Sequence, residues 1–462
     1  MSNFARRGLG EPLGASSATA LVFDARSSSD VFTRRQRPCA GDVDCAMTHN
    51  STDARDLNNL AVRIDLPEFN IPLESEDDLE AAALALRRAW FERAHKPADG
   101  TLKSPRAGTT VPMPGGDTVC FGYERDLDVS MLEERGVLDH PTPRGWSSSR
   151  VLCRSGQSTL SCLLHLVTST GAPVGPLTLH HAGRYFESKA LVDVWPRHVF
   201  RPVPAAASAV DILLGEPVFC DGRFGVSDPR ALPRAQHALL LDTTLVGTAV
   251  DLSPWFDCFD GALVAVFRSG LKLDQAGLEL ANVGIAQLFV REGTTVMVAD
   301  NLRRIRGLTG SGLTLDELAA LSAPWFLDRT YLEDYTAAIF AHNAALGSAI
   351  GPESAVFEEF SHPSLISAGA AAPFCSVRLR GRDGAAHRRL LEIVDTEVGR
   401  RGLRATRGGS FGFRGHRYEL IEPEHEDGMP FLRVALGFRE GRTLDGLIAL
   451  FRELASRPRL EN

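Results

Sequence analysis

The chain has 462 residues, with 44% hydrophobic and 23% charged, and a formal net charge of −8. That length predicts two or three domains, and the composition is ordinary for a soluble globular protein. The acidic balance argues against nucleic-acid binding, and no apolar run nears the ~20 residues needed to cross a bilayer.

The first residues, Met1 to Arg7, are not followed by a signal-type apolar core, so the expected location is the cytoplasm. Residues 1–60 mix Ser, Gly, Asp and Arg with little periodicity and read as an irregular arm. A helix is predicted near 76–96: Ser75 caps it, Asp78 completes a capping box, and Leu79, Ala82, Ala83, Leu86, Trp90 and Phe91 form one apolar face. Residues 97–118, rich in Pro, Gly and Thr, read as a linker or an ordered loop.

From about 145 to 345, short apolar runs alternate with helical stretches: 158–168, 207–214, 238–241, 262–267 and 286–290. Such alternation predicts an α/β unit with a mainly parallel sheet. A helix is expected over 331–346. A strand at 374–379, a helix at 387–400, a strand at 431–438 and a helix at 444–454 then predict a small α+β domain. The predicted division is an extension over 1–110, a large domain over 111–345 and a small domain over 346–462. The eight cysteines contain no CxxC pair, so neither zinc nor a disulfide framework is indicated.

Lysine is scarce: of 50 basic residues only Lys96, Lys103, Lys189 and Lys272 are lysines, leaving 46 arginines. Lys272 directly follows the apolar run 262–266 through Phe267-Arg268-Ser269-Gly270-Leu271, where a buried strand ends. An amine there, with Ser269 three residues before it, is the arrangement a pyridoxal phosphate (PLP) Schiff base needs. Asp242 ends the run 238–241, where a carboxylate is costly to bury without a cation; a protonated pyridine nitrogen would be one. A helix cap or a turn also accounts for it. Ser155-Gly156-Gln157 opens a helical run, where free N–H groups attract phosphate, although Ser-Gly also serves as a plain cap. Tyr185 offers a flat face for a planar cofactor, or interfacial packing. Arg433 interrupts the apolar strand 431–437 and suits a substrate carboxylate, or a structural salt bridge.

In this order the segments resemble the cystathionine γ-synthase/γ-lyase (Cys/Met metabolism) family of fold-type I PLP enzymes, over roughly 120–455. Tyr123-Glu124-Arg125 resembles the family's Tyr-x-Arg, Ser155-Gly156-Gln157 its Ser-Gly-Met, Asp242-Thr243-Thr244 its Asp-Asn-Thr, and Ser269-Gly270-Leu271-Lys272 its Ser-x-Thr-Lys. Arg433 to Gly437, preceded by Gly408-Gly409-Ser410, resembles its C-terminal Arg-x-Ser-x-Gly strand. Leu271 departs from the family's hydroxyl residue, and the Asn-Pro after Tyr-x-Arg is missing. The resemblance implies an aspartate aminotransferase-like large domain with a mainly parallel seven-stranded sheet. It also implies a homodimer or homotetramer with active sites at the subunit interface.

It implies PLP bound by Ser155, Gly156, Gln157, Tyr185, Asp242, Ser269, Lys272 and a partner's Tyr123 and Arg125. Lys272, Tyr185 and Tyr123 would serve catalysis, and Arg433 and Ser410 would bind substrate. The chemistry would be Cα deprotonation of an amino acid, then γ-elimination or γ-replacement through a vinylglycine-type quinonoid intermediate, with a new bond formed at Cγ in a specialised biosynthetic pathway. An aminotransferase or β-lyase is the rival on the same fold, although Leu245 and Val246 stand where class I aminotransferases carry a tyrosine. A PLP-fold scaffold or regulatory module is the non-enzymatic alternative.

Overall fold

The computed structural model describes residues 52–66, 73–135, 139–169, 175–294, 297–351, 354–380, 384–422 and 429–458. The expected irregular arm up to residue 51, with Cys39 and Cys45, lies outside the described residues.

Seven strands form the main sheet: β1 (Trp146–Cys153), β2 (Leu177–His181), β3 (Phe200–Pro202), β4 (Ala209–Gly215), β5 (Arg234–Asp242), β6 (Leu263–Ser269) and β7 (Gly284–Arg291). Their spatial order is β3-β2-β4-β5-β6-β7-β1. Neighbours pair in parallel from β3 to β6, whereas β7 runs antiparallel to both β6 and β1. The expectation of a mainly parallel, seven-stranded sheet is met. The continuous apolar character of β5 and β6 follows from burial on both faces. One face packs Leu240, Ala265 and Leu288 against Leu160, Leu163 and Leu164 of a helix. The other packs Leu239, Leu241, Val264 and Val266 against Trp255 and Phe259.

Five more strands make the second sheet: β8 (Phe357–Ser361), β9 (Cys375–Leu379), β10 (Ala405–Arg407), β11 (His416–Ile421) and β12 (Phe431–Ala435), in the order β8-β9-β12-β11-β10. Helices Gly384–Arg401 and Arg442–Ser456 flank it and share its core through Leu390, Val394, Leu447 and Phe451. The strands and helices expected at 374–379, 387–400, 431–438 and 444–454 all lie in or against this sheet.

Residues 52–62 are more ordered than their composition suggests. Helix α1 (Thr52–Val62) falls within the stretch read as an irregular arm, and it buries Leu57, Leu60 and Asp53. Helix α2 (Glu76–His95) carries the expected capping box: Ser75 Oγ accepts from the Asp78 N–H, and the Asp78 carboxylate accepts from the Ser75 N–H at 3.0 Å. Its Trp90 donates to the Ala320 carbonyl at 2.8 Å, docking the helix on the rest of the fold. The stretch 97–118 is ordered too, with a short hairpin of Thr110–Pro112 against Thr118–Cys120.

Candidate active site

The site forms where parallel strands end, the position at which open α/β sheets bind ligands. Asp242 closes β5, level with Phe267 of β6. The Thr243 N–H donates to the Phe267 carbonyl at 2.9 Å, and the Ser269 N–H donates to Thr244 Oγ1 at 3.0 Å, so the two strand ends are tied together. The Asp242 carboxylate accepts from the Thr244 N–H at 2.8 Å and pairs with no cation among the described residues. Burial raises its pKa, against the pull of the Thr244 contacts.

Helix α3 (Gly156–Ser169) begins against Ser269: a Cβ on Gly156 would stand 3.3 Å from Ser269 Cβ. Ser155 is engaged in capping, its hydroxyl accepting from the Ser158 N–H at 3.1 Å and its own N–H donating to Ser158 Oγ at 2.8 Å. The N–H groups of Gly156 and Gln157 find no acceptor among the described residues. Two open donors at the start of a four-turn helix, beside a free serine hydroxyl, make an anion cradle. Gln157 also reaches Ser188 Oγ at 3.4 Å, while its Oε1 is buried without a partner.

Lys272 follows β6 by three residues, in a turn. Its amine donates to Ser410 Oγ and lies 5.5 Å from the centre of the Phe411 ring. Burial first, and Arg433 second, lower its pKa. A partly desolvated amine loses its proton more readily, which a nucleophile requires. The lysine backbone is gripped as well. A Cβ on Gly412 (φ +82°) would fall 2.2 Å from the Lys272 carbonyl oxygen, so only glycine lets the loop lie there.

Tyr185 precedes helix α4 (Phe186–Asp193). Burial, a hydrogen bond to Glu187 and the charge of Asp242 all raise its pKa, while Arg433 acts the opposite way. Lys272 and Arg433 both lie over the Phe411 ring, at 5.5 Å and 6.0 Å from its centre. Arg433 sits on β12, with its guanidinium 5.5 Å from the Phe374 ring and 6.0 Å from the Phe411 ring. It also pairs with Glu419 of β11, so the salt bridge weighed from the sequence is present.

Tyr123 and Arg125 stand apart from this cluster within the single chain. Tyr123 caps and Arg125 lies within a short 3-10 helix at Glu124–Asp126, with the Arg125 guanidinium 4.7 Å from the Tyr123 ring. Arg125 instead lines a 270 Å³ surface pocket with Arg303, Arg304 and Arg306.

One member of the cluster went unread in the sequence. Glu216 directly follows β4, and its Oε1 accepts from the N–H groups of Arg184 (3.0 Å) and Tyr185 (2.9 Å), holding the loop that carries Tyr185. Burial and the nearby Asp242 push its pKa up to about 8. A Cβ on Gly183 would fall 2.3 Å from the same oxygen, so the loop crosses Glu216 only as glycine. The apolar run 212–214 ending in Gly215-Glu216 is the same signal that marked Asp242.

Two solved structures resemble the fold of this chain. One is an apo methionine γ-lyase from Micromonospora echinospora, 16% identical, aligned over 80% of this chain and 98% of the lyase with a TM-score of 0.51. The other, a cystathionine γ-lyase from the same organism, gives 16%, 80%, 98% and 0.50. The fold is the one those lyases share. No protein-family model and no curated protein matches the chain.

Proposed function

We propose that this protein is a PLP-dependent enzyme that acts on an amino-acid substrate by Cα deprotonation followed by γ-elimination or γ-replacement. The observation that carries the reading is the Asp242 carboxylate, buried without a cationic partner among the described residues, in a cluster that also holds a desolvated Lys272 amine and the open N–H pair at Gly156 and Gln157. These three features fit the ring nitrogen, the aldehyde and the phosphate of one small molecule. The γ chemistry rests on the likeness to the two γ-lyases, which is a likeness of fold.

When bound, PLP supplies an aldehyde that links to amines and a ring that accepts electrons from the substrate α-carbon. Lys272 would hold the aldehyde through its amine and would move protons at the substrate Cα and Cβ. Asp242 keeps the ring nitrogen protonated. Gly156, Gln157 and Ser269 meet the phosphate, while the Ser155 hydroxyl stays with the helix cap. Tyr185 covers the ring and offers a hydroxyl near the leaving group. Arg433 would face the carboxyl end of the substrate, with Ser410 at the Lys272 amine. Tyr123 and Arg125 are assigned to the site of a partner subunit in a homodimer or homotetramer.

The test is reconstitution with PLP, followed by a screen of γ-substituted amino acids for 2-oxo acid release. The reading predicts release with loss of the γ-group, abolished in Lys272→Ala. Accumulation of pyridoxamine phosphate with the γ-group intact would favour transamination instead.

A further inference from the structure

Register places opposite charges side by side at the substrate end of the cluster. Glu419 of β11 and Arg433 of β12 are direct cross-strand partners, and their side chains form an ion pair. Both are sheltered, with side-chain exposures of 21% and 18%. On its other side Arg433 faces Ser376, whose hydroxyl is committed to the Gly222 carbonyl at 2.7 Å. Arg433 thus has a carboxylate beside it within the chain. Its Nε, however, is buried with no acceptor among the described residues.

The remaining charges near Lys272 do not change this balance. Arg417 is engaged with Glu279 at 3.4 Å and with the Gly409 carbonyl at 3.1 Å. Glu187 brings a further carboxylate beside Tyr185 and Lys272. A free α-carboxylate arriving at Arg433 would share one guanidinium with Glu419, and two like charges against one cation in a sheltered site repel. A neutral carbonyl brings no charge and needs one donor, which the open Nε supplies.

We propose that Glu419 is a specificity-determining residue that makes Arg433 a donor to a neutral carbonyl, so that the substrate is an amino-acid derivative whose α-carboxyl is masked as an amide or ester. This rests on the PLP reading above and refines only the substrate's carboxyl end. Glu419 acts on the substrate through Arg433 and touches none of the reacting atoms.

The test uses PLP-reconstituted protein and spectrophotometric binding titrations with matched pairs: L-methionine against L-methioninamide, and L-alanine against L-alaninamide. Affinities are compared after correction for the free-base fraction of each amine. The amide of each pair is expected to bind about tenfold tighter or more, and Glu419→Gln to shift the preference toward the acid by a similar factor. Tighter binding of the acids by the native protein, or no spectral response to either member of both pairs, overturns the inference. So does an acid-to-amide ratio unchanged in Glu419→Gln. The visible absorption of the resting protein, recorded first, separates the two failures. Its absence sinks the PLP reading, whereas its presence with acids preferred sinks only the role given to Glu419.

Discussion

Asp242 shows how one side chain can be costly to the fold and useful to the site. Its carboxylate is buried beside two threonines, and burial alone pushes its pKa upward. A protonated ring nitrogen would relieve that cost through a charge-assisted hydrogen bond. Asp242→Asn is therefore expected to weaken PLP binding on the order of ten- to a hundredfold, read by fluorescence titration. Glu216 predicts a pH effect with a definite sign. Its folded pKa of about 8 lies above the ordinary glutamate value of 4.5, so between those values the folded state holds a proton that the unfolded state has lost. Stability attributed to Glu216 is full below about 4.5 and declines as pH rises toward 8, by a few kcal/mol in order of magnitude. Urea unfolding of the cofactor-free protein should show that slope, and Glu216→Gln should flatten it. Asp242 and Lys272 were legible because each follows an unbroken apolar run. Glu216 carries the same signature, but its part in the site depends on the loop it holds, from 31 and 32 residues away in the chain.

Among the elements, the loop from Ser410 to Arg414 joins the two halves of the site. Ser410 meets the Lys272 amine, Gly412 lies on the Lys272 carbonyl, and Arg414 anchors the loop in a buried ionic network. Asp53 of α1 is the centre of that network. It accepts from Arg414 Nε at 2.9 Å and from Arg439 Nε at 2.8 Å, while Arg414 also meets Asp56 at 2.5 Å. Those arginines hold the Asp53 pKa below its ordinary value even though burial, the largest influence, opposes them. The stability it contributes is present above about pH 3.8 and is lost as pH falls through the lower folded value. Asp53→Ala leaves two buried arginines short of their anion and should destabilise the protein by about 3–5 kcal/mol, measured by chemical unfolding. None of this was legible at the start of the chain. Helix α2 announces itself through Ser75 and Asp78, but α1 buries only the short face of Ala54, Leu57, Leu60 and Ala61 and is held as well by an ion pair made 361 residues later in the chain.

For the whole molecule, the alternation of apolar runs and helices was enough to predict the parallel sheet. The strand order and the reversal of β7 were not readable, because register and direction depend on pairings between distant segments. The assignment of Tyr123 and Arg125 to a partner's site makes a prediction at this scale. Arg125→Ala and Lys272→Ala, each inactive or impaired alone, should regain activity when mixed and allowed to exchange subunits, since some mixed sites would carry neither change. Unchanged activity after exchange would remove Arg125 from the site. The central claim has a more direct test, because the chain holds only four lysines. PLP-treated protein is reduced with borohydride, digested and mapped by mass spectrometry. The account predicts the pyridoxyl adduct on the peptide bearing Lys272, near one per chain, and none on Lys96, Lys103 or Lys189. An adduct spread over those other lysines, or no adduct on Lys272, would contradict it.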